Sequence, residues 1–269
     1  MSGYIGIRNP AVAGAFYPSD PVLLREMISK YLESAPLLEI GKVRGAISPH
    51  AGYIYSGPVA AYTYRQFQSL PPLERTVFLI GPAHYVFVPG VAVGTYLRLL
   101  TPLGEVNVDV EKCDALLSLG DPFIPAPQAH EPEHSLEVQL PFLQLTVPGE
   151  FKVVPLLVGD ADPTDIAVGL MKVLGDEDIL LVSSDLSHYH RYDDARIRDT
   201  SFLEGVLDFD FSSVARGEAC GLIPILSLMI VAREKGWKPH LLDYRNSGDT
   251  SGDRSRVVGY GSVVYTEGR

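Results

Sequence analysis

Four stretches of this 269-residue chain, Val43–Ser48, Thr76–Ile80, Phe151–Val158 and Ile179–Ser184, place apolar or small side chains at most consecutive positions. Successive side chains of a β-strand point to opposite faces, so runs of this kind bury both faces of their sheet. Helices packed on each side supply that cover, and helical patterns fall between the runs. Pro58–Gln68, Val110–Leu119, Pro163–Leu174, Asp193–Leu207 and Gly221–Lys235 read as helices. Another follows Ser19 or Asp20 as its cap, with Pro21 in the first turn and an apolar stripe of Leu23, Leu24, Met27, Ile28, Tyr31 and Leu32 before Ala35-Pro36 stops it. The expected fold is a single three-layer α/β domain over residues 1–269 with a mainly parallel central sheet. Residues 1–20 read as an extended arm, and Lys238–Tyr244 and Arg256–Tyr265 as closing strands. Val91–Thr95 and Leu97–Val108, turning through Thr101-Pro102-Leu103-Gly104, read as an insertion on the parallel core.

Ligands of such sheets gather beyond the carboxyl ends of the strands. Two strands deliver a histidine there in the same grammar, Ile47-Ser48-Pro49-His50 and Ile80-Gly81-Pro82-Ala83-His84. One such histidine would most simply close a loop hydrogen bond, whereas two in matching contexts point to a shared ligand. If the strands are neighbours, their loops start about 5 Å apart. A third donor is available in Cys220, which precedes Gly221 and an apolar helix whose N-terminus would favour a thiolate. The plainer reading of Cys220 is a small buried hydrophobe, and for Cys113 it is the only one. Ser183-Ser184-Asp185-Leu186-Ser187-His188 follows a third strand to the same edge. There Asp185 or His188 would orient a ligand or move a proton, against an Asx-type turn as the plain alternative. His190 reads as exposed.

His130-Glu131-Pro132-Glu133-His134 matches the metalloprotease pattern H-E-x-x-H. That chemistry needs both histidines on one helical face, and Pro132 stands between them. His130 therefore reads as non-helical. Glu133 and His134 read as the start of a helix that Pro141 kinks, with Glu137 one turn on and bonded back to His134. The Asn246–Ser255 loop, flanked by Arg245, Arg254 and Arg256, reads as a mobile surface turn, with an anion cradle as the alternative. No phosphate-binding, dinucleotide or serine-hydrolase motif is present.

A formal charge of −11 provides no basic stripe for nucleic acid or an anionic membrane. No apolar run approaches the roughly 20 residues of a membrane span, and Met1–Tyr17 lacks the pattern of a signal peptide. With only two cysteines, too few for a disulfide framework, the chain reads as cytoplasmic.

The phrases PHAGY (49–53), GPAH (81–84), EHSLEVQLP (133–141), PLLVG (155–159), SSDLSH (183–188) and C-G-x-x-P (220–224) together resemble the MEMO family, in the form found in AmmeMemoRadiSam systems. The arm A-G-A-F-Y-P (13–18) and the Tyr260-Gly261 strand extend the resemblance over nearly the whole chain. It implies the fold of class III extradiol ring-cleaving dioxygenases, which hold Fe(II) with two His and one Glu. It also implies His50, His84 and Cys220 as metal residues, with His134, Asp185 and His188 beside them as candidate catalytic groups. Iron or copper is implied ahead of zinc, a small molecule or peptide in the cleft, and a radical-SAM system protein as partner. Tyr85 replaces a second His of animal members and Leu222-Ile223 an Arg-His pair, so their peptide recognition is not expected here. Three functions stay open: a metal-dependent, dioxygenase-like oxidoreductase, a non-catalytic binding protein, and a zinc hydrolase, the last least favoured.

Overall fold

The computed structural model describes residues 3–268, so the first two residues of the expected arm and the last of the expected domain lie outside the described residues. The chain runs β1 (Ile5–Arg8), α1 (Pro21–Ser34), β2 (Val43–Ser48), α2 (Tyr53–Phe67), β3 (Arg75–Pro82), β4 (Val91–Val93), β5 (Tyr96–Thr101), β6 (Gly104–Val108), α3 (Val110–Leu117), β7 (Phe123–Pro125) and α4 (Pro127–His130). It continues through α5 (Leu140–Thr146), β8 (Phe151–Val158), α6 (Pro163–Val173), β9 (Ile179–Ser183), β10 (His188–His190), α7 (Tyr192–Leu207), α8 (Phe211–Ala215), α9 (Leu222–Lys235), β11 (Lys238–Asn246), α10 (Ser247–Ser251) and β12 (Val257–Thr266).

The four apolar runs form the centre of the sheet in the order β8, β3, β9, β2, all parallel. Helices α1, α2 and α5 pack on one side and α3, α6 and α9 on the other, which is why β2, β3 and β9 are buried at every position. The result is a single α/β domain with a large, mostly parallel sheet flanked by helices. Its rims are mixed: β5 and β6 form an antiparallel hairpin, and β12 runs antiparallel to β2, β10 and β11. Among the described residues no helix is long and apolar enough to cross a membrane.

Several local expectations are corrected. The hairpin expected as an insertion extends the sheet itself, because β6 pairs in parallel with β8. The N-terminal arm contains β1, which pairs with β5. Helix α2 begins five residues before Pro58, since the single backbone bond that proline removes falls at exposed Ile54 in the first turn. The Asn246–Ser255 loop holds α10, opened by a capping box between Asn246 and Asp249, so it is a built turn. Asp20 caps α1 as expected, accepting the N–H groups of Val22 and Leu23.

Candidate metal centre

His50 and His84 do not sit on neighbouring strands: β9 lies between β2 and β3. Their loops therefore start about two strand spacings apart, roughly 10 Å, and the side chains converge over the end of β9. A ring nitrogen of His50, one of His84 and Sγ of Cys220 all come within 4.8 Å of one another.

His50 is buried, and its loop is held by the Asp185 carboxylate, which accepts the His50 backbone N–H at 2.8 Å. Its Nδ1 lies 2.9 Å from Oγ of Ser183, the last residue of β9. Ser183 donates its hydroxyl hydrogen to the Ser135 carbonyl at 2.5 Å and accepts from Gln139 Nε2 at 2.8 Å. A hydroxyl has one hydrogen, so Ser183 can only accept from His50. His50 thus carries its proton on Nδ1 and turns the Nε2 lone pair toward Cys220 Sγ, 3.3 Å away. Gln139 is fixed in turn by the Tyr64 hydroxyl, which donates to its Oε1, and by the Pro49 carbonyl, which accepts from Nε2 at 2.9 Å. Burial, followed by the neighbouring His134 and His84, pushes the His50 pKa well below its ordinary value, which keeps the ring neutral.

His84 is set by Glu133. The carboxylate accepts the His84 backbone N–H at 2.6 Å and Nδ1–H at 2.9 Å, along with the N–H groups of His134 and Ser135 at 2.9 Å each. Burial pushes the Glu133 carboxyl upward, but the hydrogen bonds from His84 and Ser135 prevail and hold it at about 2. An ionised Glu133 accepting from Nδ1 leaves His84 Nε2 free as a donor to a ligand, the carboxylate–histidine arrangement found behind metal-bound imidazoles.

Cys220 is tied to the loop after β9. Its N–H donates to the Asp185 carbonyl and its Sγ accepts the Asp185 N–H, both at 3.2 Å, while Gly221 N–H donates to Ser184 Oγ at 2.9 Å. A Cβ on Gly221 would lie 2.7 Å from that of Ser184, so the close approach requires glycine. The expected helix-stabilised thiolate is not what the chain alone provides. Burial first, then the Asp185 charge, push the Cys220 thiol up to about 12, and a bound cation would reverse that balance.

His134 stacks on His84, with ring centroids 4.8 Å apart, and meets His50 edge-on at 5.4 Å. The Tyr85 hydroxyl lies 3.2 Å from its Nδ1. Burial, with His84 adding to it and Glu133 opposing, lowers the His134 pKa. His188 is half-buried at the start of β10, on the same loop exit from β9 as Asp185, and its N–H donates to Glu218 at 3.1 Å. The three candidate catalytic residues and the three candidate metal residues therefore share one end of the sheet.

Other expectations fail here. Glu137 does not bond His134; its carboxylate is taken by buried Arg8, the N–H groups of Ala11 and Val12, and the Tyr17 hydroxyl. The expected helix does not start at Glu133–His134, which are irregular because Glu133 spends its carboxylate on the following N–H groups; a 3-10 turn at Glu137–Gln139 leads into α5, where Pro141 falls in the first turn. His130 closes the single turn α4 rather than lying in a loop, and its Nε2 lies 3.0 Å from the Ala92 carbonyl, so it takes no part in the site. His190 is not free on the surface but lies 2.7 Å from Glu218. Glu133, Ser183, Gln139 and Glu218 were missed as site residues. A buried Ser at the end of an apolar strand and a Gln inside an apolar helix were the available signals.

Fold and site define an α/β protein with two tautomer-fixed imidazoles and a thiol converging at the carboxyl ends of parallel strands. The family model for Memo-like proteins matches residues 8–264. A MEMO1 family protein of Sulfolobus acidocaldarius is 40% identical, covering 96% of this chain and 99% of its own. Those of Archaeoglobus fulgidus and Methanosarcina mazei are 37% and 36% identical, each over 96% of this chain and 99% and 98% of theirs. The chain belongs to the MEMO family.

Proposed function

We propose that His50, His84 and Cys220 form a mononuclear metal site, and that the protein is a metal-dependent, dioxygenase-like oxidoreductase of unassigned substrate. The observation that supports this best is the double fixing of tautomers: Ser183 and Glu133 each take an Nδ1 proton and leave an Nε2 lone pair for one ligand position. Two neutral imidazoles and a thiol suit a soft or borderline metal, and the reading favours iron or copper ahead of zinc. Such a metal would supply electron exchange with a substrate or O₂.

Around that position the chain provides proton handling and support. His134, held neutral, accepts a proton from a bound substrate, and His188 is the second group that moves a proton. Asp185 positions rather than reacts, since its carboxylate carries the His50 loop. The ligand is a small molecule or peptide in the cleft at the strand ends. The setting is cytoplasmic, with a radical-SAM system protein as partner.

A second reading, a non-catalytic metal, peptide or small-molecule binding protein, is favoured by Cys220 itself. A thiol in place of a carboxylate is oxidisable and departs from the ligand set of ring-cleaving relatives of the fold. Metal analysis of protein purified without oxygen, followed by substrate screening under air, separates the readings. Iron or copper at one per chain, lost in His50→Ala and Cys220→Ser, together with turnover is expected. Binding without turnover supports the second reading, and an apo protein indifferent to both metals refutes the metal site.

A further inference from the structure

Helices α7 and α8 and the residues just after α8 line an open hollow of about 580 Å³, within the size range of small-molecule sites. Arg198 and Arg216 line it with the hydroxyls of Ser201 and Ser213, and no side-chain hydrogen bond among the described residues engages either hydroxyl. Neither guanidinium has a carboxylate oxygen within 4.0 Å among the described residues, although the chain carries 33 acidic side chains against 22 basic ones. The one acid in the wall, Glu218, is committed elsewhere: one oxygen accepts His188 N–H at 3.1 Å and the other lies 2.7 Å from His190 Nε2. Buried Phe202 and exposed Ile197 give the hollow an apolar side.

Two guanidiniums lining one hollow with no carboxylate in contact match the fork geometry of carboxylates and phosphates, and the adjacent apolar wall suits a ligand that is not a bare ion. We propose that this hollow binds a small organic oxyanion, a carboxylate or a phosphate monoester. Arg198 and Arg216 hold its charged head, and Ile197 and Phe202 hold its apolar part. Because Glu218 is shared between this wall and the strand carrying His188, the occupant is sensed at that strand.

Two-dimensional ¹H–¹⁵N spectra at low ionic strength test this with benzoate, phenyl phosphate, inorganic phosphate and, as a neutral control, benzyl alcohol. Saturable shifts at the Ser201, Gly217 and His188 amides are expected with benzoate or phenyl phosphate, and whichever saturates first identifies the headgroup. Inorganic phosphate is expected to bind more weakly, and benzyl alcohol not at all. Arg198→Gln with Arg216→Gln, both at exposed positions, weakens binding by about tenfold or more. Ser213→Glu, which places a negative charge in the hollow, gives the same loss by a different route. Absence of saturable shifts with any anion, or equal affinity in the double-arginine variant, overturns the proposal.

Discussion

Ser183 Oγ lies 2.9 Å from His50 Nδ1 while donating its own hydrogen to the Ser135 carbonyl. A residue that touches no ligand therefore decides which nitrogen of His50 is available. Ser183→Ala removes that constraint and leaves Gln139 Nε2 short of an acceptor. Loss of such an outer partner is expected to weaken metal binding by about 10–100-fold, with a stability cost of roughly 1–3 kcal/mol for the unpaired buried group. Competitive chelator titration and urea unfolding measure the two effects separately.

Glu133→Gln places an amide where a carboxylate accepts four N–H groups. Stability is expected to drop by roughly 3 kcal/mol, because an amide oxygen cannot serve all four donors. In the wild type the carboxyl is depressed from 4.5 to about 2, so its contribution is complete above 4.5 and disappears as pH falls toward 2. Urea midpoints followed from neutral to acid pH should show that loss in the wild type and a correspondingly flatter profile in the variant.

Arg8 and Glu137 form a buried ion pair that fastens the N-terminal arm beneath the segment carrying Glu133 and His134. Arg8→Ala leaves the Glu137 charge buried without its cation and is expected to cost about 3–5 kcal/mol. Arg8→Met combined with Glu137→Leu should cost much less than the two single changes summed, and a double-mutant cycle in urea reads the difference.

Both cysteines should be sluggish toward alkylating reagents in the metal-free folded protein. Burial first, then neighbouring aspartates, push Cys113 and Cys220 up to about 12 from an ordinary 9. The thiolate fraction at pH 8 falls by about a thousandfold, and alkylation slows with it. Timed iodoacetamide labelling with mass spectrometry checks this, and rapid labelling of folded Cys220 would contradict it.

The central sheet and the placing of His50 and His84 at strand ends were legible because each depends on a local signal, whereas Cys220 was set apart from a buried hydrophobe only through the family resemblance. Apolar runs mark strands buried on both faces, and Pro or Gly after a run marks the loop at its end. Strand order carries no such signal. The insertion of β9 between β2 and β3 joins segments more than 90 residues apart, and it places Ser183 beneath His50. For the same reason Glu133 read as a helix start and Glu137 as a partner for His134, when their carboxylates answer to His84 on another strand end and Arg8 on the arm. Pro58 misled in the opposite direction: the helix read as starting there already begins at Tyr53.

X-ray absorption at the metal edge, on protein loaded with iron or copper without oxygen, tests the central claim most directly. Two imidazole nitrogens and one sulfur are expected in the first shell, with no iron or copper retained by Cys220→Ser or His50→Ala. A first shell of nitrogen and oxygen alone, unchanged by Cys220→Ser, would contradict it.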